Sequence, residues 1–395
     1  MSSAWKKIAI GDVVDSVKTW NPLRSLRDDS FDYVDLSAID QDSKTIIGVR
    51  KVVCGDAPSR ARQLVVKGDV LVSTVRPNLN GVALVPEELD GATASTGFCV
   101  LRPRKDFLDG TYLFHWVKSP NFISDMVKKA TGANYPAVSD RIISESQIPL
   151  PPLEEQRRIA EILDRAQSLI SKRREAIGQL DTLPQAIFIE MFGDPVTNPK
   201  GWKIKICKSI CSRITVGIVV QPASYYQEYG VPALRSQNIK QNSISTDNLV
   251  FFSQIDNETK LAKTRVRSGD VVLVRTGQPG TAAIIPEELD GVNAIDLLIT
   301  TPCKNIVDSV YLCSFFNSAW GKKLVSSSQV GQIQKHLNVG ILNNAQIICP
   351  PLPLQQEFAH RVEAVEKLKA AHRASLSELN ALFASLQHRA FRGEL

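Results

Sequence analysis

The sequence predicts an α+β chain of two similar globular heads joined by two long antiparallel helices, a coiled-coil bar with a pseudo-twofold internal repeat. Three observations predict it. The hexapeptide PEELDG occurs at Pro86–Gly91 and again at Pro286–Gly291. Around each copy, short β-branched runs alternate with Gly, Pro and Asn turns, the pattern of small strands. Each copy then ends in a long segment whose apolar residues recur at three- and four-residue steps.

The repeat comes first because it organises the rest. VVKGDVLVSTVRPNLNGVALVPEELDG at 65–91 lies over RVRSGDVVLVRTGQPGTAAIIPEELDG at 265–291. From Tyr112 onward one constant offset holds to the end of the chain. It pairs Gly132 with Gly331, Pro151-Pro152-Leu153 with Pro350-Pro351-Leu352, Gln156 with Gln355, and Phe192 with Phe391. Trp5-Lys6 matches Trp202-Lys203 near the start of each copy. Chance is excluded.

Each copy has the same plan. The strand runs (VLVSTV and GVALV; VVLVRT and AAIIP) are followed by a helical stretch, Tyr112–Ala130 or Tyr311–Ser328. The tails are long helices, each with one apolar stripe: Ile159, Leu163, Ala166, Leu169 and Ile170 in the first, Phe358, Val362, Val365, Leu368 and Leu379 in the second. A 40-residue helix is roughly 60 Å long, too long to bury its stripe against one small head, so the other helix is the economical partner. Arg173 and His372 interrupt the stripes at equivalent places and are positioned to set register. Pro184, opposite Phe383 in the repeat, should kink or end the first helix early. The expected divisions are a first head at 1–150, its helix at 151–193, a second head at 194–349 and its helix at 350–395.

The bulk composition narrows the class. A chain of 395 residues with 43% hydrophobic and 22% charged residues is too long for one ordinary core and reads as soluble and folded. It shows no apolar run long enough to span a membrane and no secretion signal. The seven scattered cysteines lack paired zinc-ligand spacing and fit a reduced, cytoplasmic chain. The net charge of +6 permits nucleic-acid binding without demanding it.

Several pieces carry a family resemblance. PPLEEQRRIAEIL at 151–163 and PPLPLQQEFA at 350–359 resemble the starts of the long helices in type I restriction–modification specificity (S) subunits. MFGDPVTNPKGW at 191–202 resembles their junction into the second target-recognition domain, VGQIQKHLNVGILNNAQI at 330–347 the segment leading into the helix, and AFRGEL at 390–395 the usual ending. The resemblance covers the whole chain. It implies a non-catalytic reader of a two-part duplex DNA sequence, one half per head, with helices that fix the spacer and dock two methyltransferase (M) subunits. Those subunits would modify adenine with S-adenosylmethionine, and restriction/motor (R) subunits using ATP and Mg would join for cleavage. No cofactor is expected on this chain itself. A two-headed protein–protein adaptor, or a specificity-like subunit of another DNA-targeting defence system, stays open.

The residues offer no chemistry of their own. Asn134-Tyr135-Pro136-Ala137 lacks the paired prolines of an adenine methyltransferase, and no phosphate-binding GxxxxGK[ST] loop occurs. Asp69 and Asp270 each follow a glycine before a strand, which reads as a Gly-Asp turn ahead of a catalytic carboxylate. The histidines form no metal-ligand spacing.

DNA reading needs Arg, Lys, Asn and Gln on loops. In the first head the candidates are Arg76, Asn78 and Asn80, then Asn134 and Tyr135, with 59–63 (Ser-Arg-Ala-Arg-Gln) as a third segment. In the second they are Arg235, Gln237 and Asn238, then Arg275 and Gln278, then Gln332, Gln334, Lys335 and His336. Lys128-Lys129 and Lys322-Lys323 are candidates for phosphates. PEELDG is acidic, would repel phosphate, and reads as a turn facing away from DNA.

Overall fold

A computed structural model of the protein describes residues 5–26, 28–321, 323 and 337–395. The chain divides into two compact units: Met1–Glu175 with Arg373–Leu395 (unit 1), and Ala176–His372 (unit 2). Unit 1 holds β1 (Lys7–Ala9), β2 (Val14–Asp15), β3 (Ser30–Val34), β4 (Arg50–Val53), β5 (Ala61–Leu64), β6 (Val70–Ser73), β7 (Val82–Leu84), β8 (Thr93–Ser95), β9 (Phe98–Pro103), α1 (Gly110–Val117), α2 (Pro120–Lys129), α3 (Asp140–Glu145) and β10 (Gln147–Pro149). The long helix α4 (Leu153–Phe192) begins in unit 1 and ends in unit 2.

Unit 2 continues with β11 (Ile204–Ile206), α5 (Cys207–Ile210), β12 (Cys211–Val216), β13 (Val231–Leu234), β14 (Ile239–Lys240), β15 (Ser243–Ile244), β16 (Val250–Phe252) and α6 (Gln254–Glu258). Then come β17 (Val271–Val274), β18 (Ala282–Ile284), β19 (Asn293–Ala294), β20 (Leu297–Pro302), α7 (Ser309–Asn317), α8 (Val339–Asn343) and β21 (Gln346–Ile348). The second long helix, α9 (Leu352–Ala390), begins in unit 2 and ends in unit 1.

The two units are built alike. Unit 1 has sheets ordered β2-β9-β6-β7 and β4-β3-β8-β5; unit 2 has β12-β20-β17-β18 and β16-β13-β19. The runs read as strands form the β6–β7 and β17–β18 hairpins, with Val70 opposite Leu84 and Val271 opposite Ile284. PEELDG is a short 3-10 turn after each hairpin, closed by Gly91 (φ 84°) and Gly291 (φ 78°) in a conformation that glycine adopts without strain.

Two helical expectations change. The stretch Tyr112–Ala130 is two helices, because Ser119 caps a new helix that Pro120 starts. The first long helix does not end at Pro184 but runs on to Phe192. A mid-helix proline costs about 3 kcal/mol. Beyond it, Phe188 and Phe192 are fully buried in unit 2 against Tyr311 and Phe358, with centroid distances of 4.8–5.6 Å, which offsets that cost.

Each unit therefore takes the start of one long helix and the end of the other. In unit 1, Phe391 near the end of the chain packs on Tyr112 (5.4 Å) and Trp116 (4.9 Å), alongside Ile159 and Leu163 from the start of α4. In unit 2, Lys369 of α9 bridges Asp181 of α4 at 2.8 Å. The boundaries of the units fall at Glu175 and His372, beside the residues Arg173 and His372 that break the stripes.

The glutamine of the PPLxxQ pattern makes the same joint twice. Gln156 is fully buried; its Oε1 accepts from the Asp109 amide (2.9 Å), while its Nε2 donates to the Phe107 and Pro151 carbonyls (2.9 Å each). Gln355 accepts from Asp308 N (2.9 Å) and donates to the Ile306 and Pro350 carbonyls (3.3 and 2.8 Å). Gln156→Ala would orphan three buried backbone groups and is expected to cost about 2–4 kcal/mol. Hydrogen exchange should show faster opening confined to unit 1, and Gln355→Ala should do the same in unit 2.

One joint is particular to unit 1. His115 is fully buried, and its Nε2 donates to Asp164 of α4 at 2.8 Å, leaving Nδ1 without a partner. Gln387 of α9 donates to its carbonyl at 3.1 Å. Burial holds the imidazole below its ordinary 6.5, against the upward pull of Asp164. As pH falls below 6.5 the unfolded chain takes up the proton before the folded one, so unit 1 loses stability by up to about 1.4 kcal/mol per pH unit. Unit 2 carries Ser314 at the equivalent place, so the effect should spare it. A pH series of unfolding for His115→Gln should lose this acid slope.

Candidate nucleic-acid interface

In unit 1, β3 runs parallel to β8, with Tyr33 beside Thr93 and Val34 beside Ala94. The loops leaving β6 and β8 are stitched together, since both the amide and the hydroxyl of Thr74 donate to the Gly97 carbonyl at 2.9 Å. The Thr74 carbonyl in turn accepts from Val138, and Arg76 N donates to Pro136 O at 2.7 Å. These bonds bring two of the three candidate segments of unit 1 together: 76–80 and 131–137.

Arg76 (φ 50°) and Asn80 (φ 48°) both adopt the left-handed conformation, on either side of a 3-10 turn at Pro77–Leu79. Non-glycine residues hold that conformation at a cost, which functional loops often bear. The Arg76 guanidinium lies 4.8 Å from the centre of the Tyr135 ring, and Tyr135 is 68% exposed. Arg76, Asn78 and Asn134 are exposed, and Asn80 is half-buried. Lys44, also left-handed (φ 58°), donates its Nζ to the Asn80 carbonyl at 2.6 Å. Burial pushes the Lys44 ammonium below its ordinary value despite nearby Asp42 and Asp40.

The third segment belongs to the scaffold instead. Arg62 donates to Asn21 Oδ1 (2.7 Å), and Gln63 donates to the Ser95 and Phe98 carbonyls (2.8 Å each). Lys129 is paired with Asp125 at 2.7 Å, one turn back on its own helix.

Unit 2 gathers the corresponding ends. β13 runs parallel to β19, and Ile295 N donates to Leu234 O (2.8 Å), which holds the ends of the two strands together. Asp296 N donates to Ile218 O at 3.0 Å, bringing in the loop after β12. The Asp296 carboxylate takes Arg275 Nη1 on one oxygen and Thr276 Oγ1 on the other, each at 2.8 Å. Gln237 and Gln278 are exposed.

Not every candidate here faces solvent. Asn238 is 1% exposed; it accepts from Arg235 N (3.0 Å) and donates to the Ser245 and Asp247 carbonyls (3.0 and 2.9 Å). The structure thus corrects its placement, because its side-chain amide is spent on backbone groups that flank the β14–β15 hairpin. Arg235 bonds the Asn248 carbonyl through Nη2. Gln332, Gln334, Lys335, His336 and Lys322 lie outside the described residues.

The sequence reading passed over the segment at 219–229, where Val219, Val220 and Tyr229 are 47%, 74% and 82% exposed. The signal was present: an apolar pair directly before Gln221-Pro222, outside any strand alternation. Asp296, which ties three loops, carried no local signal at all.

The carboxylates raised as catalytic candidates are committed to structure. Asp69 accepts two bonds from Arg102 (2.9 and 2.7 Å) and one from Val66 N (2.9 Å). Asp270 accepts from Arg213 (2.8 Å), Thr301 (2.6 Å) and Arg267 N (2.9 Å). A cleft of about 620 Å³ opens beside Asp69, and its other acids are also engaged: Asp15 by Arg104 at 3.1 Å, and Asp109 as the cap of α1. Among the described residues, no group of three acidic, His or Cys side chains is placed to hold a metal. Among the same residues, no helix is long and apolar enough to cross a membrane.

The family profile described as the type I restriction modification DNA specificity domain matches residues 2–179 and 199–381. The Escherichia coli type I restriction enzyme EcoBI specificity subunit is 23% identical over 330 residues, covering 75% of this chain and 68% of that protein. The MjaVIII specificity subunit of Methanocaldococcus jannaschii is 24% identical over 291 residues, covering 68% of this chain and 66% of that protein. A chain from a solved structure of the type I R-M system, concerned with its complex assembly and conformational transition, superimposes with a TM-score of 0.69. It is 27% identical, covering 99% of this chain and 98% of the other.

Proposed function

The chain belongs to the type I restriction–modification DNA specificity family, and from that premise we propose that it is the non-catalytic sequence reader of a methyltransferase and endonuclease complex. The observation that carries this reading is the pair of loop clusters. In both units the ends of parallel strands deliver polar loops to one edge, on scaffolds that match while the loop residues differ. Two readers of unlike half-sites need that combination.

Each unit reads one half of a bipartite target in the major groove. Arg76, Asn78, Asn134 and Tyr135 serve the first half; Gln237 and Gln278 serve the second, beside Arg275, which Asp296 holds within the loop. The proposed divisions are recognition domains at 1–150 and 194–349, with helices at 151–193 and 350–395. The helices set the spacer and dock two methyltransferase subunits, which modify adenine with S-adenosylmethionine. Leu169 and Leu368, at equivalent positions of the two helices, are 53% and 47% exposed and support such docking. Restriction/motor subunits using ATP and Mg complete the complex, which works in the cytoplasm.

Two experiments test this. Deleting the gene should erase one bipartite N6-methyladenine motif from a genome-wide map; unchanged methylation in an otherwise active system would sink the reading. Inserting matched helical turns into both long helices, between Glu175 and Ala176 and between His372 and Arg373, should change the spacer of the mapped motif and leave both half-sites intact. A change of half-site would refute the division of labour.

A further inference from the structure

We propose that Arg76 reads a guanine in the half-site bound by unit 1, an inference that rests on the DNA-reading function above. Four observations converge on it. The backbone of Arg76 is held in place: it is left-handed, its amide is tied to Pro136 O at 2.7 Å, and Val75 bridges Ala137 on the neighbouring loop. The guanidinium is oriented, because it lies over the Tyr135 ring at 4.8 Å. A cation–π contact uses no N–H donor, so the hydrogen-bonding fork stays available to a partner.

The group is also uncommitted. Among the described residues Arg76 forms no ion pair, whereas Arg50, Arg102, Arg104 and Arg141 of the same unit each meet a carboxylate. The fourth observation comes from the other copy. The loop after β17 is the repeat of the loop after β6, and its arginine, Arg275, is bound to Asp296 at 2.8 Å. The two loops each carry an arginine, Arg275 at the place of Thr74 and Arg76 two residues further on, one neutralised within the protein and the other presented to solvent.

The chemistry of the fork selects the base. Guanine offers two acceptors, O6 and N7, side by side in the major groove, which match two parallel guanidinium donors. Adenine puts a donor beside N7, cytosine offers an amino donor, and thymine offers one acceptor and a methyl group. A phosphate also accepts a fork, so the test must separate base from backbone.

The full chain, assembled with its methyltransferase subunits, should be used to select bound duplexes from a randomised pool. The wild-type protein, Arg76→Lys, Arg76→Ala and Tyr135→Leu are compared, with melting curves as a check on folding. The wild type should require a guanine at one position of one half-site. Arg76→Ala should lose that preference by roughly 5- to 150-fold and Arg76→Lys should lose part of it, with the second half-site unchanged. Tyr135→Leu should weaken preference at the same position only.

If Arg76→Lys keeps the preference while Arg76→Ala weakens all sequences alike, Arg76 grips phosphate and the inference is wrong. A first half-site without guanine, or with a guanine indifferent to Arg76, overturns it as well, while leaving the DNA-reading function standing. Selection of no bipartite motif by the wild type would instead bring down that function and the inference together.

Discussion

Each head is closed by the aromatic end of a helix that starts in the other. Phe192 at the end of α4 meets Tyr311, and Phe391 just past α9 meets Tyr112. Burying one such ring stabilises by about 1.5–3 kcal/mol, a large fraction of what a small domain has to spare. The indoles repeat the arrangement in hydrogen bonds, with Trp202 Nε1 donating to Phe192 O (2.9 Å) and Trp5 Nε1 to Ala390 O (3.4 Å). Neither core is complete without residues far away in the chain. This constraint explains why a proline inside α4 is tolerated and why the C-terminal residues are as structural as any strand.

The motifs that carried the family resemblance are these joints. Gln156 and Gln355 fasten each helix start to the turn before α1 or α7, and the Asp109 and Asp308 they contact cap those helices. Tyr112 and Tyr311 reach the Pro149 and Ile348 carbonyls at 2.8 and 2.7 Å. Gly193 (φ 81°) lets the chain leave α4, and a Cβ added there would lie 2.7 Å from Pro199 Cγ, so any side chain would clash. What the copies share is therefore the scaffold, and a specificity argument cannot be drawn from it.

The sequence made the repeat, the hairpins and the long helices legible because each depends on local periodicity or on residues at matching offsets. It could not show which polar side chains are consumed by distant partners. Arg62, Gln63 and Asn238 have the composition of reading residues, yet each is spent on a backbone or side-chain group elsewhere in its own unit. The buried pairs at Asp69 and Asp270 illustrate the same difficulty. In unit 1 the arginine comes from β9; in unit 2 the equivalent strand supplies Thr301 and the arginine comes from neighbouring β12. The electrostatic role is kept while the residues that fill it move between strands, so aligning the copies does not reveal it.

Where the copies differ most, the difference has a structural origin. In unit 1, β5 pairs with β8, and the loop after β2 is pinned to it: Thr19 bridges Gln63, Trp20 N donates to Arg62 O, and Trp20 Nε1 donates to Thr93. In unit 2 the pairing on that side of β19 shrinks to a single antiparallel bridge between Arg265 and Asn293, joined by an Asn293–Asn257–Thr264 network. The loop after β12 is left to present Val219 and Val220 to solvent. In the first unit the same edge offers a stacked arginine and asparagines; in the second it offers apolar side chains beside an arginine already neutralised. The two copies of one scaffold thus present unlike edges, one closed by β5 and the other by a single bridge and a side-chain network.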